Sequence, residues 1–307
     1  MDKNAALNTT IEDFRRHLAV ARSAATAKTY GVALTHLAAY AKMEGVETVS
    51  EVHPGHYMGY LKEGRSPVSL SSYMTALSQF AEYAHDEGLL LNGDYLKFKA
   101  RLRRVRGQRQ DRKIPDVPPE ETFQALMEEA RAERGSTPRQ ALMRLRNIAL
   151  METLRSTGCR VAEVVGLRRS DLADGRALVT GKGSKMRIVF FDATSWDAVT
   201  EYLDRRGDTA PSAPVFARHD RLARGITGIS TTSVRNLIDT LAKRAGIDPA
   251  HVSPHKFRHR FGTTVLEASG NLAAVQDLMG HSNPSTTRIY ARLGPDVLST
   301  VHDGAQL

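Results

Sequence analysis

Three prolines within five residues, Pro115, Pro118 and Pro119, interrupt this chain of 307 residues. A proline ring has no N–H and clashes with the preceding turn, so no helix runs through this stretch. On either side the apolar residues recur at helical spacing, which predicts two bodies, each long enough to bury a core. Just before the prolines, residues 97–113 (KFKARLRRVRGQRQDRK) hold nine Lys or Arg against one acid, Asp111. That surplus of +8 nearly equals the formal excess of the whole chain, +9. Such a run is ordinarily a solvated linker, and otherwise a tether for a polyanion. The expected division is a helical domain at 1–100, a basic linker at 101–118 and a second domain at 119–307.

With 41% hydrophobic and 25% charged residues the composition is that of a soluble globular protein. No apolar run approaches 18 residues, and the first ten residues (MDKNAALNTT) lack a signal-peptide core. The expectation is a cytoplasmic protein with no membrane association. Cys159 is the single cysteine. It excludes an internal disulfide framework, as suits a reducing compartment.

The N-terminal helices are predicted from Thr10, as cap, through Ile11, Phe14 and Leu18; at about 24–43 with Tyr30, Leu34, Leu37 and Ala41 inward; at 54–63; and at 69–87 with Leu70, Tyr73, Leu77, Phe80 and Ala84 inward. After the prolines, helices are expected at 119–134, from Thr137-Pro138 to Thr157-Gly158, at 160–167, 194–206 and 231–245. Two strands, 177–180 and 186–191, flank the turn GKGSK at 181–185, where alternation and glycines favour a hairpin. Val215-Phe216 is a candidate third strand. The fold class is therefore mainly α with a small antiparallel sheet: a helical N-terminal domain and a mixed α/β second domain.

Residues 253–290 (SPHKFRHRFGTTVLEASGNLAAVQDLMGHSNPSTTRIY) gather the residues of chemical interest. Ser253-Pro254 reads as an N-cap with proline at the first helical position. His255 then sits in a first turn, where free N–H groups and the helix dipole favour an anion, and Arg258 shares its face. A second helix (Leu272, Val275, Leu278, Met279) stops at Gly280-His281, and a short helix restarted at Ser285 or Thr286 would carry Tyr290. Two imidazoles, a guanidinium and a phenol beside helix ends suit a phosphate better than a carbonyl. His255 and His259 have the i,i+4 spacing of zinc ligands, but no third ligand is suitably spaced, so no metal is expected.

Arg160, between the end of one helix and the start of the next, could enter a cleft with Glu163 one turn on to hold it; a surface Arg–Glu pair is the commoner outcome. GKGSK lacks the four-residue gap and the Ser/Thr after lysine of a Walker A loop, yet a lysine at a hairpin tip can reach a phosphate or a leaving oxygen. Cys159 has no base around it in sequence and reads as a small buried residue.

TGCRVAEVVGL at 157–167, GKGSKMRIV at 181–189, HKFRH at 255–259 and GHSNPSTTRIY at 280–290 together resemble the tyrosine recombinase (phage integrase) family. The family order of Arg, hairpin Lys, His-x-x-Arg, His and Tyr falls on Arg160, Lys182, His255, Arg258, His281 and Tyr290, with Lys185 as the alternative lysine. The intervals fit as well: 95 residues from Arg160 to His255, 23 from Arg258 to His281 and nine more to Tyr290. The resemblance spans roughly residues 120–295, and the N-terminal segment resembles the family's core-binding domain in size and helix content. It implies a metal-free and cofactor-free nucleophilic attack by Tyr290 on DNA, leaving a 3′-phosphotyrosyl link and a 5′-hydroxyl. Arg160, Arg258, His255 and His281 would surround the phosphate, Glu163 would orient the site and Lys182 would protonate the leaving oxygen. Lys97, Lys99, Arg101, Arg103, Arg104, Arg106 and Arg260 are the expected DNA-backbone contacts. The implied partners are double-stranded DNA with an inverted-repeat core site and three further copies of the chain, forming a tetramer on two sites, with a partner recombinase or accessory protein possible. A type IB topoisomerase-like relaxing enzyme and a non-catalytic DNA-binding factor are the competing readings.

Overall fold

The computed structural model describes residues 6–62, 65–106, 117–181, 185–220 and 225–280. The chain divides into two compact units, Met1–Lys113 and Ile114–Leu307. Among the described residues no helix is long and apolar enough to cross a membrane.

The first unit packs five helices, α1 (Leu7–Ala21), α2 (Ala24–Glu44), α3 (Pro54–Lys62), α4 (Pro67–Asp86) and α5 (Asn92–Arg106), among its described residues. Their starts and stops follow local chemistry. The Ser23 hydroxyl accepts from the Thr26 N–H at 3.3 Å, and Gly45 ends α2 at φ +67°, where a side chain would be strained. Leu34, Leu37, Tyr57, Leu77 and Phe80 fill the core, and the Tyr57 hydroxyl donates to the Ala33 carbonyl at 2.9 Å. Two local expectations change. Thr10 lies inside α1, its hydroxyl donating to the Ala6 carbonyl, because buried Leu7 extends the apolar stripe one turn toward the N-terminus. Residues 101–106 continue α5, because Phe98 and Leu102, four apart, are both buried in the same core.

The second unit contains α6 (Glu120–Ala132), α7 (Pro138–Thr157), α8 (Val161–Gly166), strands β1 (Leu172–Ala173), β2 (Arg176–Thr180) and β3 (Met186–Phe190), then α9 (Ala193–Arg206), α10 (Thr231–Arg244), α11 (Pro254–Ser269) and α12 (Leu272–Met279). Helix α7 is central. Thr137 caps it, with Gln140 reaching back to the Thr137 N–H at 3.0 Å, and Ala149, Leu150, Met151 and Leu154 are buried along it. Phe123 of α6 meets Phe257 of α11 edge to face, ring centres 4.7 Å apart.

The strands form an antiparallel sheet in the order β1-β2-β3. Its third strand is Leu172–Ala173 rather than Val215-Phe216. The latter pair is buried in a loop, where the Val215 N–H donates to the Leu167 carbonyl at 2.8 Å, so it contributes to the core without joining the ladder. In the β2–β3 register Val179 faces Arg187 and Leu178 faces Ile188. The inner face thus carries Ala177, Val179, Arg187 and Val189, while Leu178, Met186, Ile188 and Phe190 are exposed on the outer face.

Candidate active site

Gly158 ends α7 at φ +60° and redirects the chain, so that Arg160 becomes the N-cap of α8. Glu163, the third residue of that helix, turns back. One carboxylate oxygen accepts from the Arg160 backbone N–H at 2.8 Å, and the other from the Arg160 guanidinium at 2.9 Å. A single carboxylate thus fixes both the main chain and the side chain of Arg160. From β3, Arg187 reaches the same carboxylate with both terminal nitrogens, at 2.9 and 2.8 Å, a fork-to-fork pair. The Glu163 side chain is only 3% exposed. Burial by itself would raise its pKa; the bonds from Arg187 and from the Arg160 N–H outweigh burial and hold it at about 2.

Helix α11 begins as its sequence predicts. The Ser253 hydroxyl accepts from the Lys256 N–H at 3.3 Å, with Pro254 in the first turn. Beside Pro254, His255 remains exposed. Partial desolvation lowers its pKa below the ordinary imidazole value, and the positive charges of Arg258, Arg160 and Lys256 push the same way. The shift favours the neutral imidazole, the form that can accept a proton. The His259 ring meets it edge to face at 4.2 Å. One turn along, Arg258 is 3% exposed and points into the body of the unit. It donates to the Gly158 carbonyl at 2.6 Å and to the Met279 carbonyl.

These arginines meet at the C-terminus of α12. The Leu278 carbonyl accepts from Arg187 at 3.1 Å, the Met279 carbonyl from Arg258, and the Gly280 carbonyl from Arg160 at 3.5 Å. Carbonyls in a last helical turn lack intrahelical donors and carry partial negative charge, so three successive ones attract guanidinium groups.

The structure thus brings Arg160, Glu163, His255 and Arg258 together. Lys182, His281 and Tyr290 lie outside the described residues. Lys185 is exposed, and its carbonyl accepts from the Gly181 N–H at 2.8 Å, closing the base of the hairpin loop. Gly181 lies against the network: a Cβ there would stand 3.3 Å from a Glu163 carboxylate oxygen. Arg260 is ion-paired with Glu120 at 2.9 Å. On α5, Lys97 pairs with Asp94, Lys99 bonds Ser78 and Arg106 bonds Thr75, while Arg101, Arg103 and Arg104 project into solvent. Burial pushes the Cys159 thiol up to about 11, which leaves it an inert part of the core. Sequence reasoning missed Arg187. Its only signal was a lone charge within a strand, which ordinarily marks a solvent-facing position.

Residues 119–295 match the sequence pattern of the Phage integrase family. This chain belongs to that family, the tyrosine recombinases. Tyrosine recombinase XerC of Corynebacterium glutamicum is 32% identical over 300 residues, which cover 95% of this chain and 90% of that one. XerC of Pelobacter propionicus is 41% identical over 165 residues, about half of each chain (52%). The XerH site-specific recombinase in its post-cleavage complex with a palindromic difH substrate superposes with a TM-score of 0.72 at 21% identity, covering 92% of this chain and 80% of that one. A lambda integrase dimer bound to a COC' core site gives 0.65 at 16%, covering 94% and 77%. At these identities the two structures speak to the fold alone. The enzyme class follows from family membership: a tyrosine site-specific recombinase.

Proposed function

We propose that this protein cleaves and rejoins duplex DNA through a 3′-phosphotyrosyl intermediate on Tyr290. The observation that carries the reading is that Arg160 and Arg258, whose charges both act on His255, converge on the end of α12, whose last residue, Met279, is eleven before Tyr290. The Tyr290 oxygen attacks phosphorus, its proton passing to neutral His255. The bond from phosphorus to the 5′-oxygen breaks, and that oxygen takes a proton from Lys182, or from Lys185 if the loop register shifts. Arg160, Arg258 and His281 stabilise the charge gathered on the non-bridging oxygens, each such donor being worth about 2.7–4 kcal/mol in the transition state. The phosphotyrosyl bond conserves the energy of the broken linkage. A 5′-hydroxyl of a second strand therefore reverses the step without ATP.

The α5 residues Lys97, Lys99, Arg101, Arg103, Arg104 and Arg106, together with Arg260, contact the DNA backbone in this reading, giving a salt-dependent share of affinity. The first unit acts as a core-site binding domain and the second as the catalytic domain. Four copies assemble on two inverted-repeat sites in the cytoplasm, alone or with a partner recombinase or accessory protein. Either integration and excision of a mobile element or resolution of chromosome and plasmid multimers would use this chemistry.

The test is covalent trapping. Nicked duplexes containing randomised inverted repeats are incubated with wild type and with Tyr290→Phe in a chelator, then read for an SDS-resistant protein–DNA adduct. An adduct in wild type that is absent from the variant supports the reading. An adduct that persists in Tyr290→Phe removes the nucleophile, and no wild-type adduct across the library favours the non-catalytic alternative. Exchange of strands between two differently marked duplexes separates a recombinase from a DNA-relaxing enzyme.

A further inference from the structure

Arg187 is used by none of the chemistry above, yet each of its three side-chain nitrogens donates a hydrogen bond at the site. It is a charged residue on the inner face of β3, 12% exposed, with Val189 beside it on that face and Val179 opposite on β2. It occupies both oxygens of Glu163 and, through its third nitrogen, the Leu278 carbonyl. Its guanidinium therefore touches two elements while its own strand supplies a third. These are α8, which starts at Arg160; the end of α12, from which the chain leaves toward His281 and Tyr290; and the hairpin whose loop contains Lys182. Gly280 records how closely they fit: a Cβ there would stand 2.9 Å from Cδ of Arg187.

Of the three arginines clamping the end of α12, Arg160 and Arg258 are also the proposed phosphate ligands. A phosphate would engage the same two guanidinium groups that now hold the Met279 and Gly280 carbonyls. Arg187 is not among the proposed phosphate ligands, and each of its three nitrogens bonds Glu163 or Leu278.

We infer that Arg187 is a positioning residue which keeps the end of α12, and so the departure point of the Tyr290 segment, fixed to the Arg160–Glu163 pair when the other two arginines turn to the phosphate. The inference rests on the recombinase reading for its catalytic consequence. Its structural content, one side chain holding both elements, stands apart from that reading. Lysine is a poor substitute, since one ammonium cannot span both carboxylate oxygens and the carbonyl in the same geometry. Gly280→Ala crowds Arg187 without altering it but also strains the end of α12, where Gly280 has φ +61°, so in that variant the Arg160 amide is the diagnostic signal.

The experiment has two arms on the full chain, each comparing wild type with Arg187→Gln, Arg187→Lys, Glu163→Gln, the Arg187→Gln/Glu163→Gln double variant and Gly280→Ala. The first arm is amide hydrogen exchange on the free protein. Arg187→Gln and Gly280→Ala are expected to deprotect together the Arg160 amide, which Glu163 holds, and the amides of residues 278–280, leaving the α7 core unchanged. Loss of protection at one of the two places only, or at neither, overturns the inference whatever the DNA chemistry.

The second arm is single-turnover cleavage of the nicked duplex trapped by wild type, at saturating protein. Arg187→Gln is expected to cleave about 100-fold more slowly, with half-saturation within threefold of wild type, and Arg187→Lys to recover less than a tenth of the rate. The double variant is expected to be no slower than the worse single variant. Multiplicative losses, cleavage within threefold of wild type in Arg187→Gln, or a loss that appears wholly in half-saturation would overturn it. Adduct in wild type and none in Tyr290→Phe certify the recombinase reading separately, so failure of that control counts against the reading and leaves the exchange result to judge Arg187.

Discussion

Glu163 has the most to lose from a change of charge, since its buried carboxylate is held at about 2 by Arg187 and the Arg160 N–H against the cost of burial. A carboxylate whose folded pKa lies below its ordinary 4.5 contributes stability that is complete above 4.5 and is lost as pH falls toward about 2. The shift corresponds to about 3 kcal/mol. Glu163→Gln should therefore lower the unfolding free energy by roughly that amount at pH 7, the gap from wild type narrowing steadily between pH 4.5 and 2. Urea denaturation at stepped pH measures it, and a gap independent of pH would show that the carboxylate charge is not what stabilises. The spacing of Arg160 and Glu163, three apart at a helix start, made this pair readable in sequence. Arg187 was not, because in MRIVF alternation puts three apolar residues, Met186, Ile188 and Phe190, on one face, which would ordinarily turn toward a core. The fold does the reverse and exposes all three, since the inner position opposite Val179 must supply a cation to buried Glu163.

At the scale of elements, glycines with positive φ do different work according to what stands beside them. Gly158 and Gly270 both end helices in the left-handed region, at φ +60° and +61°. A Cβ on Gly270 would meet nothing within 4 Å, whereas one on Gly158 would collide with the Phe261 ring of α11. Gly270→Ala should therefore cost only backbone strain, about 1–2 kcal/mol. Gly158→Ala adds the overlap and should cost about 3 kcal/mol or more. It should also slow DNA cleavage, because the Gly158 carbonyl holds Arg258. Equal losses of unfolding free energy in the two variants would contradict the argument. Most helix limits were legible for the same local reasons: Thr137-Pro138, Ser253-Pro254 and Gly158 are caps whose chemistry acts within a few residues. Helix α5 was obscured because its eight exposed or half-exposed polar residues outweigh two buried apolar ones, Phe98 and Leu102, and β1 because two residues are too short for alternation to register.

For the whole molecule, the chain divides into two units, Met1–Lys113 and Ile114–Leu307, each with a core of its own among the described residues. One core runs from Leu7 to Leu102 and the other from Phe123 to Phe257, with no buried residue in common. Each contains enough large apolar side chains to offset the entropy of ordering its own segment. Fragments 1–106 and 117–307 should therefore each unfold in a single cooperative transition when expressed alone, as calorimetry or urea titration would show. Where the first domain stops is a sharper question, and the core answers it. A fragment ended at residue 100 keeps Phe98 but removes Leu102, which is 3% exposed and seals the same cluster. Removing such a leucine typically costs 2–5 kcal/mol, so fragment 1–100 should unfold at a clearly lower urea concentration than fragment 1–106. Equal midpoints would mean that α5 beyond residue 100 adds nothing to the core. A lower midpoint would mean that this turn of helix completes the core.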